Sequence, residues 1–166
     1  VNFLNQYEQA GGDKPMVGGS ITVSQDILNY KGKRRDSLVG TIAGAPIGDA
    51  YAAPEWKAFV ADYKKNFPDG YPSPSLFALV YYLNMKATLD GLDAVKGDLS
   101  DGQKKYRDAL TKLVLKSPVG DAKLDANRQA IGTTFITEVV KDSQGNLYNK
   151  VLRKIDNVNQ TLGMSP

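Results

Sequence analysis

Apolar residues recur at helical spacing in three successive stretches in the middle of this chain. The first stretch, residues 54–67, begins with a proline, which the first turn of a helix tolerates, and repeats its apolar positions every three or four residues. These positions form one wide aromatic face, made of Trp56, Phe59, Val60, Tyr63 and Phe67. Such a face has to be buried, so the pattern predicts an amphipathic helix that packs against another element.

Two more helices are predicted to follow. Ser73 and Pro74 have the residue types of an N-cap and a first helical turn, and residues 76–83 are apolar on nearly every side of the helix that they open. A third helix is predicted to begin at Ser100, with Gln103 at capping-box spacing. Its apolar face consists of Tyr106, Leu110, Leu113 and Val114.

Residues 44–122 contain no convincing strand on which these helices could lie. The apolar faces are therefore expected to be covered by another polypeptide or by a second copy of the chain. The positions concerned are Trp56, Phe59 and Tyr63 on the first helix and Leu76, Leu79, Val80 and Leu83 on the second.

The two ends of the chain predict α/β structure. A helix over residues 1–9, a short buried strand over 16–21, a short helix capped by Ser24 and a strand over 38–42 follow in the order of a parallel pair with a right-handed crossover.

At the other end, residues 134–140 and 147–155 are rich in β-branched and aromatic side chains. The polar residues 142–146 separate these two runs, and Gly145 is free to adopt positive φ. This pattern predicts a β-hairpin.

Composition and charge limit the class of protein and the kinds of partner only loosely. A length of 166 residues suits one domain, and 42% hydrophobic with 23% charged residues is typical of a globular protein. No apolar stretch approaches the roughly 20 residues that a membrane-spanning helix needs, and no basic-then-apolar leader follows Val1. The net charge of +3 is too small to indicate a nucleic-acid partner, and the basic cluster at residues 31–35 is expected to be a solvated loop.

Imidazole and thiol chemistry are excluded because the chain contains 0 His and 0 Cys. Ser-His and Cys-His nucleophiles, imidazole metal sites and disulfides are therefore ruled out. Asp121, Asp125 and Asp142 lie in predicted loops with no metal-binding spacing and are expected to be solvated, although acid/base chemistry on such carboxylates stays open as an enzymatic alternative. Gly18 and Gly19 lack the further residues of a phosphate-binding loop, and no cofactor is predicted.

Several short segments, taken in their order along the chain, resemble a known family. The segments are residues 17–20, 54–67, 74–78 with Tyr82, 117–120, 125–129 and the hairpin residues 138–151. Together they resemble the C-terminal half of type I periplasmic solute-binding proteins, in particular the branched-chain amino acid receptor group of ABC importers. The resemblance extends over essentially all 166 residues.

This resemblance implies an α/β fold that is part of two Rossmann-like lobes, with a C-terminal β-hairpin and a ligand held between the lobes. It implies a second-lobe α/β segment at 1–46, a helical segment of the first lobe at 47–120, and a crossing segment with the second-lobe hairpin at 121–166. It also implies that an N-terminal half with a signal peptide is missing, so that this half, or a second copy through segment exchange, covers the helices unless they are repacked.

The resemblance further implies three ligand-binding positions. Ser20 falls where amino acid receptors place a carboxylate for the ligand's ammonium group, and serine cannot neutralise a buried cation. Phe77 falls where the family places an aromatic ring against the ligand, and Tyr81 lies one helical turn further on. The alternatives are a one-residue misalignment at Ser20 and ordinary helix core at Phe77 and Tyr81. The three residues suit a small carboxylate with a ring or an apolar body better than an α-amino acid.

The function that this resemblance implies is that of a solute-binding component of an ABC-type importer, periplasmic or at the cell surface. It would bind a small carboxylate (aromatic or aliphatic acid, or amino acid) and dock to an ABC permease, without catalysis, nucleic acid or membrane insertion. The alternative is a ligand-binding sensory module of the same fold in a signalling receptor, which a transmembrane or cytoplasmic segment in the parent gene would reveal.

Overall fold

The structure is a computed structural model that describes residues 2–14, 16–30, 33–161 and 164. Its α-helices are Asn2–Gln9 (α1), Gln25–Leu28 (α2), Pro54–Asn66 (α3), Leu76–Ala94 (α4) and Lys104–Lys112 (α5). Its strands are Val17–Gly19 (β1), Ile42–Ala45 (β2), Lys123–Leu124 (β3), Ala130–Lys141 (β4) and Leu147–Val158 (β5). The strands form a 5-stranded sheet in the order β1, β2, β4, β3, with β5 paired to β4. The chain is therefore of the α/β class, as its pattern predicted.

β1 and β2 form the predicted parallel pair, with Val17 opposite Ile42. Two details of that prediction are wrong. Val17 is 86% exposed, so β1 is not a buried strand. β2 begins at Ile42 rather than at residue 38 because Leu38 ends a 3-10 helix, Lys33–Leu38, and the N–H of Thr41 donates to the carbonyl oxygen of Leu38 at 2.9 Å in the turn that follows.

β4 and β5 form the predicted hairpin, and each strand is 12 residues long. The turn between them is built on Asp142, whose Oδ1 accepts hydrogen bonds from the backbone N–H groups of Gln144 and Asn146 at 2.8 Å. Gly145 adopts a φ of 86°, the left-handed conformation that was predicted for it. These contacts hold the turn and set the register of the two long strands.

Two of the central helices begin where the sequence did not predict. α3 begins at Pro54, as expected. α4 begins at Leu76, and its N-cap is Ser75, whose Oγ accepts a hydrogen bond from the N–H of Ala78 at 3.2 Å. The helix therefore starts later than predicted, because Ser75 caps it and the buried Oγ of Ser73 accepts no hydrogen bond among the described residues.

The start of α5 also differs from the prediction. The helix begins at Lys104 and not at Ser100, whose hydroxyl donates to Asp98 Oδ1 at 2.6 Å instead of capping a helix. Asp101 Oδ2 accepts a hydrogen bond from the N–H of Lys105 at 3.1 Å. The side chain of Asp101 therefore satisfies a backbone N–H of the first turn, which is the role that was predicted for Ser100.

Two hydrophobic clusters form the core of the described residues. The first consists of Val23, Leu28, Leu38, Ala43, Val139 and Leu147. The second consists of Ala45, Ile47, Trp56, Leu79, Val119 and Phe135. β4 contributes to both clusters, with Val139 in the first and Phe135 in the second.

The second cluster corrects part of the expectation that another chain covers the helical faces. Trp56 of α3 and Leu79 of α4 are fully buried in the same cluster as Phe135, so the hairpin covers them from within the chain. A different face of α4 stays exposed, and its large apolar side chains are Phe77, Val80, Tyr81, Met85 and Leu89. We call these five residues the α4 outer face.

Candidate functional site

A small cavity lies between the loop after β1 and the N-terminal end of α4. Its volume is about 10 Å³, which is room for about one water-sized group. Most of the side chains that line it are polar, namely Ser20, Ser24, Gln25, Asp49, Ser75 and Asn149. The cavity thus brings together the loop after β1, the start of α2, the end of β2 with the segment that follows it, the start of α4, and β5.

Ser20 lies at this cavity and is half-buried. It follows Gly19, the last residue of β1, in a turn where the N–H of Thr22 donates to the Gly19 carbonyl oxygen at 3.1 Å. Leu76, the first residue of α4, lines the same cavity. The structure therefore places the predicted serine opposite the start of the helix that carries the predicted aromatic residues.

Phe77 and Tyr81 do not line the cavity. Phe77 is 55% exposed and Tyr81 is 73% exposed, and both belong to the α4 outer face. Neither side chain is part of the core among the described residues. The structure brings Ser20 next to the first turn of α4 and leaves both rings on the surface.

Asp49 lines the same cavity, and sequence reasoning missed it. It lies in the segment 46–53 between β2 and α3. Its Oδ2 accepts two hydrogen bonds from Asn149, one from the backbone N–H and one from Nδ2, both at 2.9 Å. Its carbonyl oxygen accepts a hydrogen bond from Trp56 Nε1 at 3.2 Å. One sequence signal could have drawn attention to it, because Asp49 is the one charged residue between Asp36 and Glu55.

Burial raises the pKa of the Asp49 carboxyl above its ordinary value of 3.8. Hydrogen bonds from the backbone and side chain of Asn149 favour the charged form and act in the opposite direction, but burial outweighs them. No lysine or arginine forms an ion pair with this carboxylate among the side chains that the structure describes. Asp49 is therefore a largely buried acid that is held by neutral donors alone.

Two buried polar atoms near Asp49 have no hydrogen-bond partner among the described residues, namely Ser73 Oγ and Asn149 Oδ1. The Ser73 hydroxyl approaches the carboxylate and favours its charged form, but it lies outside hydrogen-bonding geometry. The amide of Asn149 is oriented by its Nδ2, which donates to the Val23 carbonyl oxygen as well as to Asp49. Buried polar atoms without a partner are rare and cost about 1–3 kcal/mol each.

A larger, open groove of about 1150 Å³ lies between α3, the start of α4 and residues 116–118. Its aromatic lining consists of Phe59, Tyr63, Phe67 and Tyr82, and the acids Glu55, Asp62 and Asp69 also line it. None of the three predicted ligand-binding residues belongs to this groove. Its chemistry is mainly apolar.

The loop acids form local contacts. Asp121 pairs with Lys116 at 2.6 Å, and Asp125 Oδ1 accepts hydrogen bonds from the N–H groups of Asn127 and Gln129 at 2.8 Å. Across the ranges that the structure describes, no group of three or more acidic side chains could hold a metal ion. Turn stabilisation and surface pairing account for what these carboxylates contact.

The basic cluster at residues 31–35 lies partly outside the described residues. Within the described part, the guanidinium of Arg35 donates from one terminal nitrogen to the carbonyl oxygen of Gly145 in the hairpin turn. This arginine is therefore engaged in holding the hairpin.

In the described part of the chain, no helix is long and apolar enough to cross a membrane.

Comparison with protein families gives a match over most of the chain. The family model described as "Periplasmic binding protein" matches residues 1–145. No curated protein sequence matches the chain.

Solved structures share this fold. An ABC transporter substrate-binding protein from Sphaerobacter thermophilus superimposes with a TM-score of 0.80 at 22% identity, over 93% of this chain and 41% of that one. A leucine-, isoleucine-, valine-, threonine- and alanine-binding protein from Brucella ovis, in its closed conformation, gives a TM-score of 0.72 at 17% identity, over 98% of this chain and 41% of that one.

A third similar structure contains a ligand. The solute-binding protein of an ABC transporter from Rhodopseudomonas palustris BisB5, in complex with 3,4-dihydroxybenzoic acid, gives a TM-score of 0.78 at 26% identity, over 94% of this chain and 42% of that one. The chain thus spans 41% to 42% of the length of these three proteins. The family match and the shared fold together establish that this chain belongs to the periplasmic binding protein family.

Proposed function

We propose that the chain is part of the extracytoplasmic solute-binding component of an ABC-type importer, which binds a small carboxylate between two lobes and delivers it to a permease. Membership of the periplasmic binding protein family supports this role, as does a fold shared with ABC transporter solute-binding proteins. A signal peptide would precede the chain in the complete protein and direct it to the periplasm or the cell surface.

The ligand that we propose is an aromatic or short aliphatic acid. The observation that carries this choice is the similarity to the Rhodopseudomonas palustris BisB5 protein, at 26% identity over 94% of this chain, which was solved with 3,4-dihydroxybenzoic acid. Ser20 agrees with it, because a hydroxyl does not repel an anion. Phe77 supplies an exposed ring that an aromatic ligand could contact.

We propose that residues 1–46 and 121–166 belong to one lobe and residues 47–120 to the other. The two hydrophobic clusters support this division in part, because the first draws only on the proposed second lobe, whereas the second includes residues of α3 and α4. In this arrangement the cavity with Ser20 lies where the two lobes meet, since Leu76 of α4 lines it from the other side.

The α4 outer face supports a further part of the proposal, that an N-terminal half completes the first lobe. Tyr81, Met85 and Leu89 follow one another at intervals of four, so they form one exposed apolar stripe along α4. Exposed apolar stripes of this size mark a surface that another polypeptide covers.

Light scattering tests this part. Residues 1–166 are expressed alone and together with the N-terminal half from the parent gene. The two halves should form a 1:1 complex, and Tyr81→Asp and Met85→Asp should dissociate it. A stable dimer of residues 1–166 would favour segment exchange, and a stable monomer of 18.0 kDa would show that the outer face needs no cover.

A thermal-shift panel on the complete polypeptide tests the ligand class. Benzoate, 4-hydroxybenzoate, 3,4-dihydroxybenzoate, leucine and valine are compared at micromolar to millimolar concentrations. A true ligand at about 100 times its Kd stabilises the folded protein by about 2.7 kcal/mol, which shifts the melting temperature clearly. Stabilisation by leucine or valine at micromolar concentration, with no response to the aromatic acids, would contradict the proposed ligand class.

A further inference from the structure

The small cavity beside Ser20 contains two hydrogen-bond acceptors of interest, the carboxylate of Asp49 and the amide oxygen of Asn149. Asp49 lines it with a largely buried carboxylate that has no cation partner among the described side chains. Asn149 lines it too, and the Oδ1 of this residue is a buried acceptor without a partner. The side chain of Asn149 is more than nine-tenths buried, so solvent does not satisfy that atom.

Such a site favours a group that donates hydrogen bonds. A carboxylate and an amide oxygen both accept, and an occupant that only accepts would leave them unsatisfied and repel the Asp49 charge. The volume of about 10 Å³ admits about one oxygen or nitrogen atom with its protons. A hydroxyl or an ammonium group meets both requirements, whereas a second carboxylate meets neither.

The position of the cavity connects this site with ligand binding. Ser20 and Leu76 line the cavity, and Leu76 is followed directly by Phe77. A ligand held between the loop after β1 and the start of α4 could therefore present one of its polar groups to the cavity. Ser20 adds a hydroxyl that can turn to accept or donate, whereas the Ser24 hydroxyl donates to the Ile21 carbonyl oxygen at 3.0 Å and the Ser75 hydroxyl caps α4.

We propose that this cavity receives a hydrogen-bond-donating group of the ligand, a hydroxyl or an ammonium, and that Asp49 is the acceptor that binds it. The inference rests on the proposed function and refines it: among small carboxylates, the preferred ligands carry a donor at the end of the molecule that faces Asp49. The 3,4-dihydroxybenzoic acid in the 26% identical structure is a molecule of this class.

Matched ligand pairs test the inference by calorimetry on the complete polypeptide. One pair is 4-hydroxybenzoate and benzoate, which differ by a hydroxyl, and the other is leucine and 4-methylpentanoate, which differ by an ammonium group. In the wild type, 4-hydroxybenzoate should bind at least tenfold more tightly than benzoate. Leucine should bind more tightly than 4-methylpentanoate but more weakly than 4-hydroxybenzoate, as the proposed ligand class requires. Water that occupies the cavity permanently would instead leave both ratios near one, and that result would overturn the inference.

Substitutions in the cavity test whether the preference for donor-bearing ligands arises there. Asp49→Asn should reduce the ratio to less than threefold by weakening the donor-bearing member, whereas Asp121→Asn, at a surface acid paired with Lys116, should keep the wild-type ratio. Ser20→Thr provides a second test that does not alter the buried acid, because its added methyl group fills the cavity and should also abolish the preference. An unchanged ratio in both variants would overturn the inference.

The outcomes separate the inference from the proposed function. Equal, measurable binding of both members of each pair would leave the solute-binding role intact and refute the role of Asp49. Failure of all four compounds to bind would contradict the proposed ligand class, and the inference would fall with it.

Discussion

Asp49 Oδ2 accepts hydrogen bonds from both the backbone N–H and the side-chain Nδ2 of Asn149, a residue 100 positions further along the chain. The N–H of Ala50 adds a hydrogen bond to the Asn149 carbonyl oxygen at 3.3 Å. These contacts fasten the segment between β2 and α3 to strand β5. A single buried acid thus holds together two parts of the chain that the proposed division assigns to different lobes.

Asp49→Asn should make the chain more stable relative to the wild type as the pH rises. Because burial raises the folded-state pKa of Asp49 above 3.8, the folded chain holds this proton more tightly than the unfolded chain. Asp49 therefore contributes stability at low pH that is lost as the pH rises from about 4 through its folded-state pKa. Thermal unfolding of both proteins at a series of pH values measures the difference.

Asp142→Asn is the matched control for that experiment, with the opposite sign. Hydrogen bonds from the side chain and backbone of Asn146 lower the pKa of Asp142, so its stabilising contribution is present at neutral pH and is lost as the pH falls. The variant should therefore lose stability relative to the wild type as the pH rises. Trends of the same sign for Asp49→Asn and Asp142→Asn would contradict the assignment.

Gly48→Ala should destabilise the fold by about 1–3 kcal/mol, the usual cost of overpacking. A Cβ at this position would lie 2.4 Å from Val151 Cγ2, and Val151 belongs to the long strand β5, which cannot easily move away. Gly44→Ala is the control, because a Cβ there meets nothing within 4 Å. Equal melting temperatures of the two variants would show that Gly48 does not lie close to Val151 of β5.

Phe77→Ala should weaken binding of 3,4-dihydroxybenzoate to the complete polypeptide. If the ring covers the ligand, removing it costs about 1–3 kcal/mol of apolar contact, or about 5-fold to 150-fold in Kd. Phe3→Ala, at a similarly exposed ring on α1, serves as the control and should not alter the Kd. A Kd unchanged by Phe77→Ala would place the ring outside the site.

Ser20→Glu should weaken the binding of carboxylates by adding a like charge at the cavity. The effect should shrink at high salt, because screening reduces the repulsion. Ser20→Gln, which has nearly the same shape without the charge, separates size from electrostatics. Equal losses in the two variants would mean that the added bulk matters and the charge does not.

Substitutions at the three loop acids should leave the ligand affinity nearly unchanged. Asp121→Asn, Asp125→Asn and Asp142→Asn remove carboxylates whose contacts are local turns and one surface ion pair. The Kd should stay within about threefold of the wild type, as for ordinary surface changes. A loss of more than tenfold in any of them would restore the acid/base or metal alternative.

Local pattern was enough to predict some elements of this fold. The hairpin carries β-branched residues on both sides of a turn whose Gly145 adopts positive φ, and α3 begins at a proline. Burial of Trp56 and Leu79 was predicted, but their cover by the hairpin of the same chain was not, because Phe135, their partner in the core, lies far downstream in the sequence. Helix starts were misplaced where a neighbouring residue offered a better cap, as Ser75 does in α4.

The site was harder to predict than the fold. The resemblance led to Ser20, which does line a cavity, because the loop after a strand is a local feature. Asp49 was missed, because its hydrogen bond with Asn149, 100 positions away, cannot be read from the local sequence. Phe77 and Tyr81 remain predictions, because their exposure in this chain agrees both with contact to a ligand and with contact to a completing half.

The sharing of β4 between the two hydrophobic clusters bears on how the chain unfolds. Phe135 and Val139 lie four residues apart on one side of the same 12-residue strand, each in the centre of a different cluster. Loss of either cluster would expose part of the buried side of β4 to solvent. We therefore expect one cooperative transition, with the amide hydrogens in the middle of β4 exchanging with solvent only through global opening.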